Sequence, residues 1–448
     1  MTEAAPASIA APAHDGEALP RLSHRVLASG HRSAVTGVDL PPAHVLNLPE
    51  RIVQFGTGAL LRGLFDTMVD EANREGRFDG RIVMVGSTGA GRTDTLDAQD
   101  GLYTLGTQGT DEAGAPRERF QVVASVSRAL DANTQWADVL ALARQEGLAL
   151  VVSNTTEVGI RLDEDDRPDL APPRSFPGKL TAFLAERARA WRCAPEAGLI
   201  VLPCELVEDN GDLLRQIVHT LAERWGVEPD VQGWITQHVR FVNTLVDRIV
   251  PGTPPPEDRV AFEARLGYRD DLLTLAEEYR LLAVEGDEAL AARLPIAGVP
   301  GVIVARSIAP YRERKLRLLN GTHTAVTPLM LLAGFAEVRE VMADAAARAF
   351  VRRVMLDEIV PSLDGVEGAE TFAHEVLARF ANPFVRHELR AITLQQTMKW
   401  RVRLVPTILA YAAHTGRPPR ALATGLAATL ALVWRGDDVG PDEGAERL

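Results

Sequence analysis

The sequence has few of the residues that define several common protein classes. It contains only two cysteines, Cys193 and Cys204, without histidines at metal-ligand spacing, so neither a disulfide framework nor a zinc site is expected. No apolar run reaches the roughly 18 to 20 residues that a transmembrane helix needs, and the nearest, residues 421–434, predicts a short buried helix. We therefore expect no membrane partner and a reducing, cytoplasmic setting.

Positive charge is also in deficit. Lysine and arginine number 48 against 61 acidic residues, and the formal net charge of -13 has the wrong sign for a protein that binds a phosphate backbone. We therefore expect no nucleic-acid partner. The 448 residues, 46% of them hydrophobic, suit two or three globular domains. Residues 1–44 carry early acids and no apolar core, which does not fit a secretory signal and predicts a disordered extension.

The first patterned stretch predicts a strand, a glycine turn and a helix. Residues 51–55 form an apolar β-type run, Gly56 and Gly58 follow, and residues 59–71 have helical periodicity. A second apolar run at residues 81–85 completes a βαβ unit, which favours a parallel sheet covered by helices. Further buried strands are predicted at residues 148–153 and 198–202.

Helical periodicity dominates the second half of the chain. One more strand is predicted at residues 301–304, and the boundary between domains is placed near residues 307–310. We therefore expect an α/β domain over residues 45–308 and a mainly helical domain over residues 309–448. The predicted helices cover residues 212–225, 270–282, 315–335, 338–356, 370–380 and 394–412.

The glycine turn is a candidate dinucleotide site. Backbone N–H groups at Gly56, Thr57, Gly58 and Leu60 can hold a pyrophosphate, although Leu61 stands where the usual pattern has a third glycine. A plain turn between a strand and a helix is the alternative. The second strand of an NAD-selective enzyme should end in an acid that binds the adenosine ribose.

No carboxylate follows the second strand here. The residues after Val85 are a glycine-rich loop in which Ser87, Thr88 and Arg92 could instead accept a 2′-phosphate. The choice between NAD and NADP therefore stays open, with NAD as the preferred expectation.

Three polar residues share one apolar helix face. At about 100° per residue, Lys315, Asn320 and His323 fall on the same arc as neighbouring leucines. Burying an ammonium, an amide and an imidazole there costs several kcal/mol unless each is paired, so the pattern indicates a site. The alternative is a structural cluster with the Lys315 side chain extended to solvent. A partly desolvated lysine among arginines should have a lowered pKa and can act as a general acid or base.

Other polar clusters follow predicted strands or lie on helices. Capping turns, a surface ion pair or an ordinary surface cation are the alternatives at these positions. The candidates for cofactor binding are Asn154 and Thr155. The candidates for substrate binding are Glu157, Glu205, Asn210, Asp247, Lys399 and His387.

The sequence resembles a known family over residues 51–434, the polyol-specific long-chain dehydrogenases typified by the mannitol dehydrogenases. The spacing of Lys315, Asn320 and His323 is the most specific mark. The other segments that carry the resemblance are residues 54–58, 99–104, 153–157, 177–181, 203–206 and 245–250.

The resemblance implies a Rossmann-type, doubly wound N-terminal domain, a mainly α-helical C-terminal domain, a nicotinamide cofactor and no catalytic metal. It implies that Lys315 is the acid/base catalyst and that Asn320 and His323 orient the substrate and polarise its carbonyl. Glu157 matches a glutamate that influences proton transfer, and Asp247 and Lys399 match positions beside the substrate.

One departure and one further resemblance bear on the substrate. Leu206 stands where mannitol dehydrogenases have a second oxyanion-binding asparagine, and Glu205 or Asn210 is the candidate substitute. Residues 382–387, which end in His387, resemble the branch that acts on uronates, whose carboxylate needs a cation.

The expected reaction is the NAD(P)-dependent interconversion of a keto-uronate and its aldonate, with tagaturonate and altronate as the first choice. Fructuronate reduction and oxidation of mannitol or arabinitol are alternatives within the family. An inactive nucleotide-binding module and a metal-dependent epimerase are alternatives of other classes. We expect a monomer or small homo-oligomer whose partner is a small keto-uronate or polyol.

Overall fold

The computed structural model describes residues 19–28, 37–87, 92–110, 115–155 and 159–435. The chain divides into two compact units. Unit 1 comprises Met1–Gln108 and Glu118–Arg306, and unit 2 comprises Gly109–Arg117 and Ser307–Leu448. The division after Arg306 lies two residues before the predicted start of the helical domain at residue 309.

Among the described residues of unit 1, six strands form a parallel sheet in the order β6-β3-β2-β7-β8-β9. Two smaller sheets have the orders β1-β5-β4-β11 and β10-β12-β13. The predicted strands at the glycine turn, at residues 81–85 and at β7, β8 and β13 are confirmed. The strands are β1 Val38–Asp39, β2 Glu50–Phe55, β3 Arg81–Gly86, β4 Tyr103–Thr110, β5 Pro116–Val123, β6 Val126–Asp131, β7 Leu150–Ser153, β8 Ile200–Pro203, β9 Arg240–Phe241, β10 Thr244–Asp247, β11 Thr274–Glu277, β12 Leu281–Glu285 and β13 Val302–Ala305.

Alternating side chains along the central strand pack on opposite faces of the six-stranded sheet. Val53 and Phe55 belong to one buried cluster, and Ile52 belongs to another. The first cluster includes side chains from α5 to α8, and the second includes side chains from α2 and α3. Because both faces are apolar and covered, the strands are almost continuously hydrophobic, and the Rossmann-type, doubly wound expectation is confirmed.

The helices of unit 1 are α1 His24–Ala28, α2 Ala59–Gly63, α3 Phe65–Arg74, α4 Arg92–Ala98, α5 Trp136–Leu142, α6 Phe176–Ala190, α7 Asn210–Arg224, α8 Pro229–His238, α9 Pro256–Leu266 and α10 Glu288–Ala291. Unit 2 is helical, as predicted. Its α-helices are α11 Ala309–Arg314, α12 Thr322–Leu332, α13 Val338–Ala343, α14 Ala345–Arg352, α15 Ala369–Phe380, α16 Leu389–Ile392, α17 Gln396–Lys399, α18 Val405–Thr415 and α19 Arg420–Arg435. No helix in the described ranges is long and apolar enough to span a membrane.

The helix predicted at residues 270–282 is wrong. The segment instead contains β11 and the start of β12. β11 pairs in parallel with β4, so that Thr274 lies opposite Leu105, and β12 pairs with β10 and β13. These partners are distant in sequence, and tertiary pairing overrides the local helical pattern.

The disordered extension predicted for residues 1–44 is wrong for the part that the structure describes. Within residues 19–28, Leu22, Val26 and Leu27 are buried, and they pack in a cluster with Phe120 and Tyr268 of unit 1. Two apolar side chains in a short helix and one just before it were too weak a pattern to identify without their partners. Residues 1–18 and 29–36 lie outside the described residues.

Candidate active site

The glycine turn after β2 has the geometry that a dinucleotide site needs. Gly56 has φ of +118°, and a Cβ there would lie 2.5 Å from the backbone oxygen of Asn154. Glycine is therefore required at this position. At Gly58 a Cβ would meet nothing within 4 Å, so the backbone of the turn is open to a ligand. These features fit the pyrophosphate of a nicotinamide dinucleotide, whose phosphates approach the glycine backbone closely.

Buried polar side chains support the turn from below. Gln54 Nε2 donates to the Gly56 oxygen at 3.1 Å, and Arg62 Nη1 donates to the Thr57 oxygen at 2.6 Å. Asp66 lies near this pair with neither carboxyl oxygen hydrogen-bonded in the described part of the chain. Burial raises its pKa to about 7, although the Arg62 charge opposes the shift. A titratable carboxyl group therefore lies beside Arg62, which holds the turn.

The residues after β7 and β8 are tied together. Asn154 Nδ2 donates to the Cys204 oxygen at 2.7 Å. Glu205 accepts hydrogen bonds from Ser153 Oγ at 3.0 Å and from the N–H and hydroxyl of Thr155, each at 3.1 Å. Burial raises the pKa of Glu205 in spite of these bonds. Asn154, Thr155 and Glu205 thus form one cluster at the carboxyl end of the sheet, as the sequence predicts.

Asn210 and Asp247 are also buried in unit 1. The Asn210 amide donates to the oxygens of Pro203 and Glu205 at 3.1 Å and accepts from the Thr244 N–H at 2.9 Å. Its polar atoms therefore already have protein partners. Asp247 ends β10. The assignment of these residues and Glu205 to substrate binding stays a prediction, and Leu206 is 59% exposed.

Three further predicted residues follow strands of the same sheet in sequence. The backbone oxygen of Ser87 accepts from Asn133 Nδ2 at 3.1 Å. Glu157 and Thr88 lie outside the described residues.

In unit 2, the predicted catalytic helix contains a π-helical segment, Lys315–Gly321, between α11 and α12. The regular α-helix assumed from the sequence is therefore wrong for this turn. A π turn closes between residues i and i+5 and is common at functional sites. Lys315 and Asn320 are separated by five positions, so this turn brings them onto nearly the same line of the helix.

Gly321 lies at the junction of three π-helical segments. The other two are Arg353–Ile359 and Trp400–Leu404. A Cβ on Gly321 would lie 3.3 Å from Leu404 Cδ2 and 3.9 Å from Ile359 Cδ1. Glycine inside a helix costs about 1 kcal/mol relative to alanine. The close approach of these side chains explains why glycine stands here in spite of that cost.

His323 is buried beside aromatic rings. Its ring centroid is 4.1 Å from that of Phe380 and 4.9 Å from that of His387. Burial holds the pKa of His323 well below its ordinary value, and the positive fields of His387, Arg379, Arg403 and Lys399 add to the effect. His323 is therefore neutral at neutral pH and can donate or accept a hydrogen bond without carrying charge.

Two of the cations near His323 donate hydrogen bonds to uncharged oxygens. Lys399 Nζ donates to the Ile392 oxygen at 2.8 Å. Arg403 Nη1 donates to Thr324 Oγ1 at 3.2 Å and to the Asn320 oxygen at 3.5 Å. Burial lowers the pKa of Arg403, and no carboxylate in the described ranges forms an ion pair with it. Arg403 can therefore attract an anion.

Sequence reasoning missed Arg379, Phe380 and Arg403. Arg379 and Phe380 end α15, and both are buried. The helical pattern around them predicts a buried face of α15. It does not show that this face packs against His323. Arg403 was not among the candidates, because its contact with Thr324 of α12 is not visible in the local sequence.

Comparisons with known proteins cover nearly the whole chain. Residues 50–298 match the family model described as mannitol dehydrogenase Rossmann domain, and residues 307–442 match the mannitol dehydrogenase C-terminal domain. The altronate oxidoreductase of Bacillus subtilis (strain 168) is 40% identical over 390 residues, which is 86% of this chain and 80% of that protein. The altronate oxidoreductase of Halalkalibacterium halodurans is 40% identical over 88% of this chain and 77% of its own length.

Solved structures share the fold. The mannitol 2-dehydrogenase of Pseudomonas fluorescens, in a ternary complex with NAD and D-mannitol, aligns with a TM-score of 0.71 and 24% identity, over 95% of this chain and 88% of that chain. A substrate-free D-sorbitol dehydrogenase aligns with a TM-score of 0.76 and 24% identity, over 95% of this chain and 86% of that chain.

Proposed function

This chain belongs to the mannitol dehydrogenase family, and on that basis we propose that it is a nicotinamide-dependent oxidoreductase that interconverts a keto-uronate and its aldonate. Tagaturonate and altronate are the proposed pair, because the relatives at 40% identity are altronate oxidoreductases. The proposed setting is the cytoplasm.

The observation that supports an acidic substrate is the set of cations around His323. Arg403 is half-buried beside Asn320 without a carboxylate partner in the described ranges, and Lys399 and Arg379 add positive charge at His323. A neutral polyol cannot form an ion pair with Arg403, whereas a uronate carboxylate can. This argument favours the uronate over mannitol or arabinitol.

A bound reduced nicotinamide supplies the hydride. In the reductive direction, Lys315 Nζ delivers the proton to the substrate oxygen as general acid. The Asn320 amide and a neutral His323 N–H donate hydrogen bonds to the same oxygen as negative charge develops on it. Since His323 has a pKa well below its ordinary value, it is a poor proton donor at neutral pH, and the acid role is assigned to Lys315.

The test is the oxidation of NADH or NADPH with tagaturonate, fructuronate and fructose in parallel. We expect turnover with a keto-uronate and rejection of fructose, because a buried cation left unpaired costs several kcal/mol in kcat/KM. Activity with fructose alone would replace the proposal with a polyol dehydrogenase. Binding of nicotinamide without turnover of any substrate would favour an inactive binding module, and loss of activity in EDTA would favour metal chemistry.

Lys315→Ala tests the acid assignment. We expect kcat to fall by about a hundredfold or more at neutral pH, the range for loss of a general acid, while the variant still binds NADH because the glycine turn belongs to unit 1. Turnover within about tenfold of the wild type would refute the assignment.

A further inference from the structure

No acid follows β3, the strand that is expected to supply the residue that binds the ribose. In a dinucleotide-binding fold that selects NAD, the second strand of the βαβ unit ends in an acid that binds the adenosine ribose and excludes a 2′-phosphate. Here that strand is β3, which ends at Gly86 and continues into Ser87. The cofactor choice therefore depends on what stands beside this strand end.

The neighbouring strand places an acid in register with it. β6 pairs with β3 in parallel, and Asp131 lies opposite Gly86. Neighbouring strands are about 4.8 Å apart, and residues in register point to the same face of the sheet. A Cβ on Gly86 would lie 3.6 Å from Thr57 Cγ2, so this face is the one that carries the glycine turn.

Backbone hydrogen bonds connect the three segments. The Gly56 N–H donates to the Val85 oxygen at 2.9 Å, and the Ala132 N–H donates to the Gly86 oxygen at 2.8 Å. The glycine turn, the end of β3 and the end of β6 are thus fixed relative to one another within unit 1. Asp131 is one strand spacing away from the position where the usual acid stands.

The Asp131 carboxylate is held at one oxygen. Oδ1 accepts from the Asn133 N–H at 2.9 Å and from Asn133 Nδ2 at 3.1 Å, and the same Nδ2 donates to the Ser87 oxygen. Within the described ranges Oδ2 accepts no hydrogen bond, so it is available to a ligand. One oxygen therefore fixes the loop and the other can face a ribose.

We propose that Asp131, supplied by the neighbouring strand, replaces the missing acid and makes the enzyme selective for NAD over NADP. Its Oδ2 accepts a hydrogen bond from the adenosine ribose hydroxyls, and its charge repels a 2′-phosphate. The inference rests on the proposed function only in requiring a nicotinamide dinucleotide.

Arg92 is the competing determinant. It begins α4 and is exposed. An exposed arginine gains little from an ion pair because water and salt screen its charge. Asp131 is half-buried and held by Asn133, so its charge acts from a fixed position. This difference favours NAD.

The test is a fluorescence titration of NADH and of NADPH without substrate. We expect the wild type to bind NADH more tightly by about tenfold or more. Asp131→Asn keeps an oxygen for the Asn133 N–H but removes the charge, so we expect its preference for NADH to fall by about tenfold, chiefly through tighter NADPH binding. Asp138→Asn, at an exposed position of α5, removes the same charge and should leave the preference unchanged.

The outcomes separate this inference from the proposed function. Equal binding of the two nucleotides by the wild type, or an unchanged preference in Asp131→Asn, would overturn the role of Asp131 alone. A wild-type preference for NADPH that Arg92→Ala abolishes would also overturn it and would assign selectivity to Arg92. Absence of binding by either nucleotide would overturn the proposed function as well.

Discussion

The imidazole rings of His323 and His387 lie with their centroids 4.9 Å apart and their planes inclined by 68°. Burial lowers the pKa of both rings, and His387 contributes to the shift at His323. The two rings therefore disfavour each other's protonation. This relationship connects the candidate substrate site to the pH dependence of the fold.

We expect unit 2 to lose stability as the pH falls below about 6.5, the ordinary histidine pKa. In that range the histidines of the unfolded chain bind protons, whereas the folded histidines stay neutral because their pKa is lowered. The free energy of unfolding therefore decreases with decreasing pH. Urea unfolding at pH values from about 5 to about 8, the range in which histidine titrates, measures this decrease in the free energy of unfolding. His387→Gln should weaken the dependence, whereas replacement of exposed His374 should not; equal slopes for both variants would contradict the prediction.

Gly56 and Gly58 form a matched pair for separating folding from binding. Gly56→Ala places a Cβ 2.5 Å from the Asn154 oxygen at φ of +118°, and we expect it to lower the free energy of unfolding by about 2 kcal/mol or more. Gly58→Ala meets no protein atom within 4 Å, so its stability should change by less than about 0.5 kcal/mol. It should nevertheless weaken NADH binding, because its methyl group enters the open side of the turn. Thermal unfolding and NADH titration of both variants check the pair, and an equally destabilised Gly58→Ala would count against it.

Asp66 predicts a pH dependence of opposite sign. Its pKa is raised from 3.8 to about 7 in the folded chain, so between these values the folded state holds a proton that the unfolded state releases. Stability then falls as the pH rises from about 4 to about 7, by roughly 4 kcal/mol in total. Asp66→Asn carries no such proton, and we expect it to be more stable than the wild type at pH about 8. Denaturant midpoints against pH measure the difference, and parallel curves for the two proteins would refute it.

Arg403 is expected to recognise the substrate carboxylate. Arg403→Ala should raise KM for the keto-uronate by about tenfold or more, because the lost hydrogen bond is charge-assisted, and Arg403→Lys should recover part of the loss. Exposed Arg401 is the matched control, since Arg401→Ala removes the same charge two residues away. Steady-state kinetics with keto-uronate and fructose check the prediction. An equal loss with both substrates would indicate that Arg403 only supports α12.

The structural features that depend only on residues close together in the chain could be predicted from the sequence. The run into Gly56 and Gly58 predicted the strand, the turn and the open backbone, because each is determined within a few positions. The spacing of Lys315, Asn320 and His323 predicted a catalytic helix, and this assignment stays a prediction. The π turn at Lys315–Gly321 was not predicted, because it depends on Leu404 and Ile359 packing against Gly321.

Features that depend on pairing between distant segments were missed. Asp131 ends β6, a strand that the sequence did not predict, and the role proposed for it depends on its register with Gly86 on β3. The helix predicted at residues 270–282 failed for the same reason, since β11 and β12 form only with distant partners. Arg403 was underestimated because its contacts with Asn320 and Thr324 span about 80 residues.

The pairing of β4 with β11 has a consequence for synthesis on the ribosome. Thr110 and Thr274, the end of β4 and the start of β11, are separated by more than 160 residues. At 5–20 residues per second, the ribosome needs roughly 10 to 30 seconds to make that length of chain. During this interval the edge of β4 that β11 later covers has no native partner, and such open edges are templates for aggregation. The nascent chain is therefore most exposed to misassembly after its dinucleotide turn has been made and before β11 emerges.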